Sequence, residues 1–259
     1  MVIFLKKNDI VGRISYGCDI IFIIKEIVDD KAYLSGKYVR LFVDSPLSDL
    51  KLIDAEELLR HEEEEKNKTN SIIEGYKDKI SHITGKILHL DSDDEYINKC
   101  KLLYDNLGIY AKCIKLNEVD FYKYIIEYIK KYQPNIVVLT GHDSYNKKGL
   151  EDLKNYKNTY NFMKTIIKIR QYYSLDDVCI FAGACGSNFE ALIASGANFA
   201  SSLDRKNIEA FDPAIVAILA AITSFNQIID IKGINKFSKL KEINIGGIET
   251  YGKMRLLMR

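Results

Sequence analysis

Apolar positions in the first fifty residues come in short runs, over residues 9–11, 20–28, 31–34 and 39–43, with Tyr16-Gly17 and Asp29-Asp30 as turns between them. Such runs predict about five short strands, enough to close a small SH3-like β-barrel over residues 1–53. From residue 54 the apolar positions thin out and a charge run appears, Glu62-Glu63-Glu64-Glu65-Lys66. Residues 54–84 therefore read as a charged helical linker with a solvated face. After Gly85 strand-like and helix-like patterns alternate: strands over 86–90, 109–116, 135–140, 178–182 and 197–201, helices near 95–107, 118–132, 158–173 and 187–195. That alternation predicts an α/β domain over 85–259, a three-layer fold with a parallel sheet covered on both faces.

In such sheets reactive groups gather where the strands end and the loops leave for the helices. Three loops stand out there: Asp91-Ser92-Asp93-Asp94, Gly141-His142-Asp143-Ser144 and Gly183-Ala184-Cys185-Gly186-Ser187.

The chain has 259 residues, 47% of them hydrophobic and 28% charged, which matches a folded domain with a smaller module attached. A net charge of +1 and the lack of a basic stripe interleaved with aromatics argue against a nucleic-acid partner. The amino-terminal apolar run is too short for a signal peptide and no later stretch approaches a membrane span, so a cytosolic protein with no membrane partner is expected. Five cysteines without CxxC spacing read as free thiols, and neither a metal nor a cofactor is expected.

Cys185 follows an apolar strand, is hemmed by Gly183, Ala184 and Gly186, and precedes a predicted helix whose unpaired N–H groups would favour a thiolate. Cys113 and Cys179 fall inside strands, Cys100 inside a helix and Cys18 in the amino-terminal module, so each reads as a small hydrophobe. His142 ends the apolar run at 136–140 and should emerge at the same sheet edge as Cys185. The other histidines, His61, His82 and His89, also precede Cys185. Papain-like enzymes and nucleophile-elbow hydrolases place their histidine after the nucleophile, so neither family fits.

Histidine on one strand and then Ala184-Cys185 on the next resembles the caspase, gingipain and separase group of proteases. That group writes His-Gly where this chain has Gly141-His142, so the donor after the histidine is Asp143. Gly141, Asp143 and Gly186 are then the candidates for supporting an oxyanion. The segments Thr140-Gly141-His142-Asp143-Ser144, Phe181-Ala182-Gly183-Ala184-Cys185, Asn188-Phe189-Glu190-Ala191, Gly196-Ala197-Asn198-Phe199-Ala200-Ser201-Ser202 and Gly246-Gly247-Ile248-Glu249-Thr250 resemble the YabG family of sporulation-specific proteases. The likeness extends to Gly12-Arg13-Ile14-Ser15-Tyr16-Gly17 and Leu47-Ser48-Asp49-Leu50 near the amino terminus.

The resemblance implies processing of spore coat and related morphogenetic proteins in the mother cell, with self-cleavage, by a cysteine and histidine at Cys185 and His142. The arginine-directed members of the wider group suggest cutting beside basic residues. Asp91 and Ser144 are candidates for a substrate pocket, and either Asp91 or Asp143 could orient His142. Asp93 and Asp94 read as caps of the following helix, and Glu190 as compensation of a helix dipole. Two other readings stand beside the protease: a coat-assembly protein without chemistry, and a small-molecule thiol amidohydrolase or acyltransferase.

Overall fold

The structure, a computed structural model, describes residues 5–77, 83–236 and 244–256, so His82 lies outside the described residues. The chain divides into two units, Met1–Asn70 and Ser71–Arg259.

In the first unit β1 (Ile10–Arg13), β2 (Phe22–Val28), β3 (Lys31–Gly36), β4 (Phe42–Pro46) and β5 (Leu50–Leu52) form one antiparallel sheet, ordered β4-β3-β2-β1-β5. Alternation along the strands turns Phe22 and Ile24 of β2 and Ala32 and Leu34 of β3 into one core with Val11 and Leu50. The expected barrel is not closed among the described residues, because β4 and β5 stand at opposite edges of the sheet. A turn takes up part of the run at 39–43: Gly36 N–H donates to Leu41 O and Leu41 N–H to Val39 O, so β4 starts only at Phe42. The charged stretch is a helix, α1 (Ala55–Lys77), and the boundary between the units falls within it. Only Ile72 and Tyr76 of α1 are buried.

The second unit runs β6 (Ile87–Asp91), α2 (Asp94–Asn106), β7 (Ala111–Lys115), α3 (Glu118–Tyr132), β8 (Ile136–Leu139), α4 (Thr159–Arg170), β9 (Cys179–Ala182), α5 (Phe189–Ala194), β10 (Phe199–Ser201), α6 (Asp212–Ile222) and β11 (Ile245–Gly247). The sheet order is β11-β10-β9-β8-β6-β7. Successive strand residues face opposite layers. Ile87, Val138, Cys179 and Phe181 pack with α2 and α6, while Leu88, Val137, Ile180 and Ala182 pack with α3, α4 and α5.

The sheet is mixed and not wholly parallel, because β11 runs antiparallel to β10. Gly247 explains why no strand pattern announces this edge: a Cβ there would come within 2.3 Å of a Phe199 ring carbon, so the position takes glycine and not a branched apolar residue. Helix α6 escapes periodicity for the opposite reason. All its residues are buried, so it has no polar face to set a rhythm.

One feature of the strand order positions the site. From β6 the chain moves outward to β7, then returns to lay β8 on the other side of β6. The loops after β6 and β8 leave this reversal toward opposite faces of the sheet, the place where sites gather in such folds.

Candidate active site

Parallel strands β8 and β9 bring Leu139 opposite Ala182, and Gly183 N–H donates to Leu139 O at 3.0 Å, continuing the ladder. His142 stands three residues beyond Leu139 (142 − 139) and Cys185 three beyond Ala182 (185 − 182), so both leave the same rim of the sheet at the same level. A cavity of about 260 Å³ lined by Asn135, Asp177 and Tyr251 lies at the opposite rim, where β8 and β9 begin, and takes no part in this arrangement.

Gly141 lets the chain pass close to α3, since a Cβ there would lie 2.3 Å from Glu118 Oε1. That oxygen accepts from His142 N–H at 2.7 Å and from the Ser92 hydroxyl at 2.5 Å. On the other side Asn158 Nδ2 donates to His142 O at 2.7 Å. The imidazole keeps 21% of its surface exposed, with Nε2 3.3 Å from Asp93 Oδ2. The Tyr96 ring lies edge-on at 6.4 Å.

Asp93 is the N-cap of α2, as its position before the helix suggests, and Oδ1 accepts from the amides of Glu95 and Tyr96. Burial alone would raise its carboxyl, but the hydrogen bond and charge of His142 and the two amide donors outweigh burial and hold it at about 2. His89, by contrast, is wholly buried inside β6 with Nδ1 3.0 Å from the Tyr104 hydroxyl, which suits a packed residue.

Cys185 is 5% exposed, and its Sγ accepts from Ile208 N–H at 3.3 Å. The expected helix amino terminus is not what faces this sulfur. Helix α5 begins at Phe189 and Asn188 caps it, accepting from Ala191 N–H at 3.1 Å, so Cys185 lies three residues before the cap (188 − 185). The sulfur instead faces Ile208, in the segment after β10, whose N–H donates to it. Gly183 and Gly186 make the turn possible, with φ of +115° and +73°. The Gly186 amide points at Lys206 O, 3.3 Å away, and not outward toward a substrate. Cys113 and Cys179 are pushed up to about 12 by burial, which leaves them unreactive thiols.

The two loops are tied together through Asp143. Its Oδ2 accepts from Ser187 Oγ at 2.8 Å and from the Thr159 hydroxyl, and its Oδ1 from the amides of Ser144 and Asn158 at 2.8 and 2.7 Å. Ser187 Oγ in turn accepts from Ala184 N–H at 3.0 Å. The Asp143 side chain thus ties the two loops together, and the carboxylate that lies beside the imidazole is that of Asp93. Burial raises the Asp143 carboxyl, against the pull of its four donors. Asp91 is wholly buried and accepts from Asp93 N–H at 2.9 Å, so it braces the turn and does not line an open pocket. Ser144 is exposed beside Gly186, whose Cβ position would lie 3.5 Å from Ser144 Cα.

A model of the YabG peptidase U57 family matches residues 6–259, nearly the whole chain. The chain belongs to the YabG peptidase family. It is 35% identical over 282 aligned residues to the sporulation-specific protease YabG of Bacillus subtilis (strain 168), with 97% of each chain covered. No solved structure matches it. Among the described residues, no helix of this YabG-family chain is long and apolar enough to cross a membrane.

Asp93, Glu118 and Asn158 surround His142 in this YabG-family fold, and the sequence pattern did not single them out as site residues. Each sits at the start of a helix, where a polar residue already has a capping explanation that hides a second role.

Proposed function

We propose that this YabG-family peptidase is a cysteine endopeptidase of sporulating bacteria, with Cys185 as nucleophile and His142 as base. The observation that carries the reading is the common rim: both residues stand three positions past paired residues of neighbouring parallel strands, on loops joined by the Ser187–Asp143 hydrogen bond. The imidazole takes the thiol proton, the sulfur attacks a peptide carbonyl, the leaving amine takes the proton back, and water releases the acyl enzyme. Amides at the tips of the two loops, including that of Asp143, hold the oxyanion; the Gly186 amide joins only when the segment at Lys206 moves aside.

The substrates in this reading are spore coat and morphogenetic proteins of the mother cell, and the enzyme also processes itself. The name of the Bacillus subtilis relative supports the sporulation context. Membership of a peptidase family weighs against the scaffold and the small-molecule thiol enzyme. Cutting beside basic residues stays within the reading through the histidine-then-cysteine group. The carboxylate meeting such a residue is neither Asp91, which is buried, nor Asp143, whose oxygens already hold four donors. In this reading the amino-terminal sheet serves as a binding module.

Incubating the full chain and Cys185→Ala with a coat extract, then sequencing new amino termini, tests this. The variant is expected to lose about 10⁶ in rate, as nucleophile deletions do. Cleavage at near the original rate would place the nucleophile elsewhere.

A further inference from the structure

The reversal of strand order sets the loop after β6 against the imidazole, and two carboxylates arrive with it, one inside the other. We propose that Asp93 is the positioning residue of the peptidase site: it holds His142 through Nε2 and leaves Nδ1 to receive the Cys185 proton. This rests on the reading of His142 and Cys185 as base and nucleophile.

Capping alone does not account for the geometry. Both amide hydrogen bonds from α2 go to Oδ1, which satisfies the helix, while Oδ2 is directed at the imidazole 3.3 Å away. An N-cap needs one acceptor, and serine or asparagine supplies it as well. The second oxygen is surplus to the helix and is spent on the histidine.

The carboxylate is itself held at both ends. Its backbone N–H donates to the buried Asp91 carboxylate at 2.9 Å, and Oδ1 is fixed by the amides of Glu95 and Tyr96. Only 12% of the Asp93 side chain is exposed, so water screens the contact little. Its low proton affinity keeps it ionised throughout the neutral range, so toward Nε2 it acts as an acceptor and fixes Nε2 as the protonated nitrogen. On the backbone side Glu118 and Asn158 hold the His142 amide and carbonyl, which fixes where the side chain starts.

The proton account follows. The Cys185 S–H bond breaks and an Nδ1–H bond forms, giving an imidazolium beside Asp93. That positive charge is transient, and the carboxylate stabilises it without accepting the proton. The proton then passes to the leaving amine, and the neutral ring with its Nε2–H intact is ready to activate water for the second step.

Asp93→Asn and Asp93→Ser test this in the full chain, because both keep a capping oxygen and remove the charge. Three quantities are read on a peptide the wild type cuts: kcat, KM, and the pH dependence of kcat/KM. The rate of Cys185 alkylation by iodoacetamide against pH gives a readout independent of cleavage. The expected result is a fall in kcat of about 10²-fold with KM within about twofold. The pH profile of kcat/KM should shift as well, since both variants remove a charged group 3.3 Å from the imidazole. Unchanged kcat and pH profiles in both variants, with Cys185→Ala and His142→Ala inactive, would overturn the role of Asp93 and leave the dyad standing. A fall in kcat without a shifted profile would overturn the action on the imidazole and leave Asp93 as a brace of its loop. Activity retained in Cys185→Ala or His142→Ala would overturn the dyad itself.

Discussion

Ser187 Oγ donates to Asp143 Oδ2 at 2.8 Å, and through that bond the loop after β9 is fastened to the loop after β8. The same carboxylate serves Thr159, Asn158 and Ser144, so Asp143→Ala would leave four donors, three of them on buried residues, without their acceptor. Such a loss is expected to lower stability by about 3 kcal/mol, measured by urea denaturation. Asp143→Asn keeps two acceptor bonds and lets the hydroxyls reverse, and its loss should be smaller.

Gly141→Ala probes the approach of the chain to α3. The added methyl would meet Glu118 Oε1 at 2.3 Å and Ser92 Oγ at 2.6 Å, and must push the carboxylate off the His142 amide. Cleavage is expected to fall by about 10²-fold, as misplacement of a reacting group does. Glu118→Gln, which keeps an acceptor oxygen, should fall far less. Steady-state rates for the two variants decide it.

Acid stability carries a signature of Asp93. Its folded-state carboxyl is held at about 2 against an ordinary 3.8, so the folded chain binds this proton less readily than the unfolded chain. The stabilisation is therefore present above about pH 4 and is lost as pH falls toward 2. Integrated over that window it is about 2 kcal/mol. Asp93→Asn should flatten this part of a stability-against-pH curve. Asp143, raised by burial, acts in the opposite sense and favours the folded chain when protonated.

Arg170 offers a control away from the reacting groups. Its guanidinium donates to the carbonyls of Gly196, Ser174 and Val178 and to Asn198 Oδ1, at 2.7 to 2.9 Å. Lysine cannot reproduce that fork. Arg170→Lys is expected to cost about 2 kcal/mol in thermal or urea unfolding while kcat stays near wild type.

The loops carrying His142 and Cys185 were legible because each follows a short apolar run bounded by glycine, and buried parallel strands write themselves that way. The bounds of α3 were legible to the residue, Glu118 to Tyr132, since one face packs on the sheet and the other meets water. Asp93 was not legible as a partner of His142. Its loop precedes the histidine by about fifty residues, and only the pairing of β8 with β6 brings them together, a choice that no local periodicity encodes. The partners of Asp143 were not legible for a related reason: its carboxylate, one residue from the histidine, takes donors from Asn158 and Ser187, which are distant in sequence.

Helices α2 and α3 lie on opposite faces of the sheet, yet the first turn of each reaches the same histidine, one through the Asp93 side chain and the other through Glu118. His142 is thus a point where both outer layers meet, one at its ring and the other at its backbone. A substitution that shifts the start of either helix therefore displaces the same residue.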